Sequence, residues 1–193
     1  MSVDADHRLG EANWQPSPNW DDRPFWALLD LIVIHCVSLP EGQFGTGFPQ
    51  ALFLSQLDHN AHPSFADLEG VEVAPHLFID RLGKVTQFVS FDKRAWHAGI
   101  SKWGCRSQCN DFSIGIELEG AIACAYTLAQ FDALIRTLTA LLQRYDGLCS
   151  GNIVGHSQIA PDRKQDPGTF FDWRGLYTAL QKSLAEDKFN GRA

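Results

Sequence analysis

The apolar run Leu31-Ile32-Val33-Ile34-His35-Cys36-Val37 is rich in β-branched residues and reads as a strand buried on both faces of a sheet. It holds a histidine, His35, where a buried strand should hold aliphatics, and it stops at the turn-rich Ser38-Leu39-Pro40-Glu41-Gly42. A second strand is predicted over Phe112–Glu119, where Phe112, Ile114, Ile116 and Leu118 alternate with Ser113, Gly115, Glu117 and Glu119. Between them, His76–Asp80 and Lys84–Val89 flank Arg81-Leu82-Gly83 as in an antiparallel hairpin. Thr127-Leu128-Ala129-Gln130 has the form of a capping box, and Phe131, Leu134, Ile135, Leu138, Leu141, Leu142 and Tyr145 follow at helical spacing. Ile153-Val154 reads as a short buried strand leading to His156, and Asp172 as the N-cap of a last helix with the stripe Trp173, Leu176, Tyr177, Leu180 and Leu184. A short helix is predicted within 48–57, an exposed loop over 58–70 and an irregular lead-in over 10–24. The fold class that follows is α/β: a single domain with a mixed central β-sheet flanked by helices.

At 193 residues and 45% hydrophobic content, one such domain can bury its own core, expected over 10–183 with flexible termini at 1–9 and 184–193. The net charge of -7 and the lack of a Lys/Arg run argue against a general nucleic-acid or anionic-membrane binder, leaving a small or neutral partner; a monomer is expected. The acidic N-terminus has no apolar signal segment and no stretch approaches a membrane span, so the expected location is cytoplasmic. Five cysteines, Cys36, Cys105, Cys109, Cys124 and Cys149, form no paired framework and read as free thiols in a reducing compartment.

The chemistry concentrates in Gly155-His156-Ser157-Gln158-Ile159-Ala160-Pro161-Asp162-Arg163-Lys164-Gln165-Asp166-Pro167-Gly168. A lone strand histidine is usually a satisfied core side chain. His35 and His156, however, both lie at strand ends and can converge at one sheet edge, where Asp166 closes a three-ligand zinc set with one position open to water. Glu117 is the candidate general base, on a face where Ser113 and Gly115 leave room for a substrate. Lys164 is the candidate for opposing a developing oxyanion, and His97 for contacting substrate or making a structural polar contact.

The Gly155–Gly168 motif, Trp96-His97-Ala98-Gly99, and Cys109-Asn110-Asp111-Phe112-Ser113-Ile114-Gly115-Ile116-Glu117-Leu118-Glu119-Gly120 together resemble the AmpD amidases across about residues 10–183. These are bacterial cytosolic 1,6-anhydro-N-acetylmuramyl-L-alanine amidases of peptidoglycan recycling, with the amidase and peptidoglycan-recognition fold. The resemblance implies that His35, His156 and Asp166 bind Zn²⁺, that Glu117 activates water and that Lys164 stabilises the tetrahedral intermediate. The implied partner is an anhydromuramyl-peptide, cut between the muramic acid lactyl group and L-alanine. Arg106, Cys36, Trp96 and His97 are the expected substrate-binding residues.

Departures from the family pattern fall on the peptide side. Cys36 stands where Asn is usual, Ala74-Pro75 precedes His76 where Ser is usual, and Glu72 and Gln108 stand where some members have Arg, leaving Arg106 for the stem-peptide carboxylates. Cysteine is a zinc ligand in some related phage enzymes, but Cys36 adjoins His35 on a strand and points to the opposite face. The competing functions are a lytic amidase acting on intact wall and a non-catalytic peptidoglycan-recognition module.

Overall fold

The computed structural model describes residues 1–189. Its strands are β1 (Asn13–Trp14), β2 (Trp20–Asp22), β3 (Leu31–Val37), β4 (Leu77–Ile79), β5 (Val85–Gln87), β6 (Lys93–Ala95), β7 (Lys102–Trp103), β8 (Arg106–Ser107), β9 (Ser113–Glu119) and β10 (Ile153–Gly155). Its α-helices are α1 (Phe48–Phe53), α2 (Leu128–Arg144), α3 (His156–Ile159) and α4 (Trp173–Phe189). A six-stranded sheet in the order β1-β5-β4-β9-β3-β10 organises them. All its pairings are parallel except β4 with β5, the predicted hairpin.

The alternation in β3 and β9 sorts their side chains between two packing layers. Ile32, Ile34, Ile114, Ile116 and Leu118 face α2 and α4, meeting Leu134, Leu138, Leu141, Leu176 and Leu180 in the main core. The opposite face is covered in patches, by Ala98, Cys109, Phe112 and Ile159 over Leu31 and Val33, and by Phe53, Phe88 and Ala95 over Phe78. Between those patches the sheet carries His35 and Glu117. The capping box forms as the sequence predicts: Thr127 Oγ1 accepts from Gln130 N–H, and Gln130 Oε1 accepts from Thr127 N–H. Asp172 Oδ1 likewise accepts from Gly175 N–H at the start of α4.

Three local expectations differ. Within 58–70, a 3₁₀ turn over Pro63–Leu68 seats Phe65, fully buried, against Leu52 and Leu57. The lead-in contributes β1 and β2, which pair with β5 and β6, and Asn19 Nδ2 before β2 donates to Val73 O. Residues 1–9 are expected to be flexible, yet Val3 bridges to Leu9, which is buried, and Met1 packs on the core. Helix α4 continues through the expected flexible segment from 184 to Phe189; 190–193 lie outside the described residues.

Candidate active site

Parallel register sets His35 of β3 directly beside Glu117 of β9, so both side chains project from the same face. His156 follows β10, whose Gly155 pairs with Ile34, and the turn of α3 points its imidazole back over β3. The Asp166 loop is tied down by Ser157 N–H donating to Asp166 O and by Tyr126 O–H donating to Pro167 O. Beyond it, Gly168 has φ +87 and lies so close to Ile122 that no side chain fits.

Three ligand atoms converge. His35 Nδ1 lies 2.9 Å from His156 Nδ1 and 3.3 Å from Asp166 Oδ2, and His156 Nδ1 lies 3.1 Å from the same carboxylate oxygen. Tetrahedral zinc at ordinary bond lengths needs donor separations of about 3.3 Å, so this triangle fits the ion with little movement. The donor chemistry fits as well. His156 Nε2 is 3.0 Å from Ala98 O, which can only accept, so Nε2 carries the proton and the Nδ1 lone pair faces the triangle.

Burial is the main force on His35, holding its pKa down to about 4 in the metal-free chain. Burial pushes the Asp166 carboxyl up, but the His156 and His35 imidazoles, 3.1 and 3.3 Å from Oδ2, outweigh it and hold the group below the ordinary carboxylate range. Glu117 lies in the opposite situation: burial and then the Asp166 charge raise its carboxyl well above the usual value, with the Lys164 ammonium opposing them. Glu117 Oε2 is buried without a hydrogen-bond partner. Such an orphan acceptor costs about 1–3 kcal/mol, which is consistent with a group kept for a substrate or attacking water.

These groups open into a cleft with two lobes that share Cys36, Val37, Leu68, Lys164 and Asp166. One lobe, of about 580 Å³, is polar at Ser38, Glu41, Ser64 and Arg163. The other, of about 240 Å³, sets Glu117 and His156 beside Phe53, Val73 and Trp96.

The profile of the N-acetylmuramoyl-L-alanine amidase family matches residues 26–169, which include every residue of this triangle and Glu117. The chain belongs to that family. It is 50% identical over 165 residues to the 1,6-anhydro-N-acetylmuramyl-L-alanine amidase AmpD of Citrobacter freundii, covering 86% of this chain and 88% of that one. A crystal structure of a selenomethionine AmpD derivative superposes with a TM-score of 0.90 at 47% identity, covering 93% of this chain and 99% of that one. The amidase AmiD of E. coli, solved with the substrate anhydro-N-acetylmuramic acid-L-Ala-D-gamma-Glu-L-Lys, superposes at a TM-score of 0.59 and 28% identity, over 81% of this chain and 60% of that one.

In this amidase the structure brings His35, His156, Asp166, Glu117 and Lys164 to one cleft, with Trp96, His97 and Cys36 on its walls. Trp96 has its indole N–H tied to Asp21 Oδ1 at 3.2 Å. The Cys36 side chain packs on the helix side of the sheet, as strand alternation requires. Burial pushes its thiol up to about 12, and the group stays a neutral thiol outside the metal triangle. Arg106 is not brought to the cleft. It pairs with Asp30 at 3.0 Å, just before the start of β3, and stacks 3.9 Å over the Phe112 ring. Arg163 is the arginine on the cleft wall; beside a lysine in a loop, nothing in the sequence separates it from a solvated surface residue.

Gly115 also corrects the sequence reading. The space above it is not left for substrate; a Cβ there would run into the His97 ring. Gly115→Ala is therefore expected to destabilise the amidase by about 1–3 kcal/mol, the cost of overpacking a filled site. A drop in urea midpoint at unchanged slope is the signature, and an unchanged midpoint would show the ring free to move aside.

The buried histidines also set a pH dependence. Unfolded, His35 takes up a proton below its ordinary 6.5, whereas folded and metal-free it resists down to about 4. Between those values the unfolded chain binds more protons, so this contribution is fully present above 6.5 and is lost as pH falls toward 4. His76 and His97, held well below 6.5 first by burial, act in the same direction, while the raised Glu117 opposes them. The urea midpoint of the metal-free amidase should fall as pH is lowered from about 6.5 to about 4. A midpoint that rose over that range would contradict a neutral histidine core.

Proposed function

We propose that this amidase is a zinc-dependent, cytoplasmic, monomeric enzyme of peptidoglycan recycling that hydrolyses the amide between 1,6-anhydro-N-acetylmuramic acid and the L-alanine of stem peptides. The observation that carries this reading is the convergence of His35, His156 and Asp166 beside an unpartnered, buried Glu117 carboxylate in one cleft. The substrate class is supported by the AmpD relative of Citrobacter freundii, a 1,6-anhydro-N-acetylmuramyl-L-alanine amidase by name, and by the anhydromuramyl-peptide bound to AmiD. Among the described residues no helix is long and apolar enough to cross a membrane.

Zinc held by His35, His156 and Asp166 would supply a Lewis acid that polarises the scissile carbonyl and acidifies water. Glu117 then accepts the proton of the attacking water on its free oxygen and returns it to the leaving alanine nitrogen. Burial, which raises the carboxyl above its ordinary value, favours taking up that proton. Lys164, on the wall of both lobes, sets its ammonium against the negative charge that grows on the carbonyl oxygen. The Glu117 and His35 neighbours on β3 and β9 form a rigid base for this geometry.

The substrate test compares anhydromuramyl-tripeptide with intact sacculi. Release of tripeptide from the soluble substrate, with little from sacculi, is the expected outcome. Comparable or faster release from sacculi would make the enzyme a lytic amidase, and no release from either would make it a recognition module.

A further inference from the structure

His97 does more than line the cleft, because both of its ring nitrogens are engaged inside the protein. Its Nδ1 is 3.0 Å from His35 Nε2, and its Nε2 is 3.1 Å from Ser113 Oγ, which in turn donates to Cys109 O at 2.5 Å. The direction of every bond in this chain is determined. A carbonyl can only accept, so Ser113 gives its proton to Cys109 O and its oxygen must receive one from His97 Nε2–H. That leaves His97 Nδ1 without a proton, ready to accept from His35 Nε2–H. His35 then has its Nδ1 lone pair free, and Nδ1 is the atom in the metal triangle.

The next residue does the same for the other histidine. Ala98 O accepts from His156 Nε2–H at 3.0 Å, and Arg163 Nη2 donates to both Ala98 O at 2.7 Å and Ile100 O at 2.8 Å, pinning the segment in place. Asn110 Oδ1 fixes its other side, accepting from His97 N–H and Ala98 N–H. Gly115 completes the support, since only a residue without Cβ lets the His97 ring lie against β9.

We infer that His97 is a positioning residue rather than a substrate-binding one: through Ser113 and Gly115 it holds zinc ligand His35 in the Nε2–H tautomer, and with the Ala98 carbonyl it makes residues 97–98 a common support for both metal histidines. This rests on the zinc reading proposed above. Outer hydrogen-bond partners of metal histidines affect affinity by about 10- to 100-fold, which is the effect expected here.

The test measures the zinc dissociation constant by chelator competition in the parent, His97→Leu and His97→Asn, and KM at saturating zinc. His97→Leu removes the acceptor and should bind zinc about 10- to 100-fold more weakly, with KM near the parent value. His97→Asn places an amide oxygen near the old Nδ1 position and should recover most of the affinity, which a purely space-filling role would not predict. Unchanged affinity in His97→Leu, or no recovery in His97→Asn, overturns the inference, and a raised KM with unchanged affinity makes His97 a substrate contact. A parent chain that takes up no zinc overturns the metal reading as well, so the two failures are distinct. Should the variants not fold, imidazole ¹⁵N spectra of the zinc-loaded parent decide: His97 neutral and protonated on Nε2 supports the inference, and a proton on its Nδ1 overturns it.

Discussion

Replacing His156 by Ala is expected to empty the metal site and abolish turnover. The residue is 3% exposed, contributes one corner of the donor triangle, and leaves only His35 and Asp166 when truncated. Two donors do not make a catalytic zinc site, which takes three protein ligands with water in the fourth place. The loss should also leave Asp166 without one of the two imidazoles that lie against its carboxylate and hold it ionised in a buried position. Elemental analysis should find about one zinc per chain in the parent and far less in the variant. Full zinc retention in His156→Ala, or a parent prepared without chelator that holds none, would remove the assignment.

Replacing Glu117 by Ala should separate chemistry from metal binding. Glu117 sits beside His35 in register but is not a corner of the triangle, and its free oxygen bonds to nothing in the protein. Zinc content should therefore be unchanged, while kcat falls by roughly 10²-fold or more, the scale of a lost general base. The fold should tolerate the change, because truncation removes a buried carboxylate that burial and the Asp166 charge both disfavour. Lys164→Ala should lower kcat in the same way through lost charge stabilisation. Near-parent turnover in Glu117→Ala would show that another group takes the proton, and the same result in Lys164→Ala would place its ammonium away from the reacting oxygen.

Strand alternation, helical spacing and capping chemistry are local properties, and they are legible in the longer elements, though not in the short strands β1, β2, β6, β7 and β8. The run at β3, the alternation at β9, the hairpin at Gly83 and the capping box at Thr127 each depend on residues a few positions apart. The candidate metal set also shows in the sequence, because histidine in an otherwise aliphatic strand is chemically conspicuous, and Asp166 lies ten residues after His156 in a loop closed by Pro167 and Gly168. What the sequence by itself determined, then, was the elements, the sheet's two faces and the residue types able to hold a metal and move a proton.

Tertiary structure alone decided what each remaining polar group faces. Arg106 and Arg163 are equivalent as sequence, yet one pairs with Asp30 beyond the cleft and the other clamps the Ala98 and Ile100 carbonyls at its wall. Gly115 reads as room for a ligand until β9 is seen against residues 96–98, where the room belongs to the His97 ring. The His35–His97–Ser113–Cys109 chain joins segments up to 78 positions apart (113 − 35), and its proton directions follow only from which acceptor each donor meets. Hydrogen bonds weaken steeply with small changes of distance and angle, whereas a core tolerates substitutions that keep its hydrophobic pattern and total volume. For that reason the apolar framework can be read along the chain, and the polar support of His35 and His156 requires the assembled sheet.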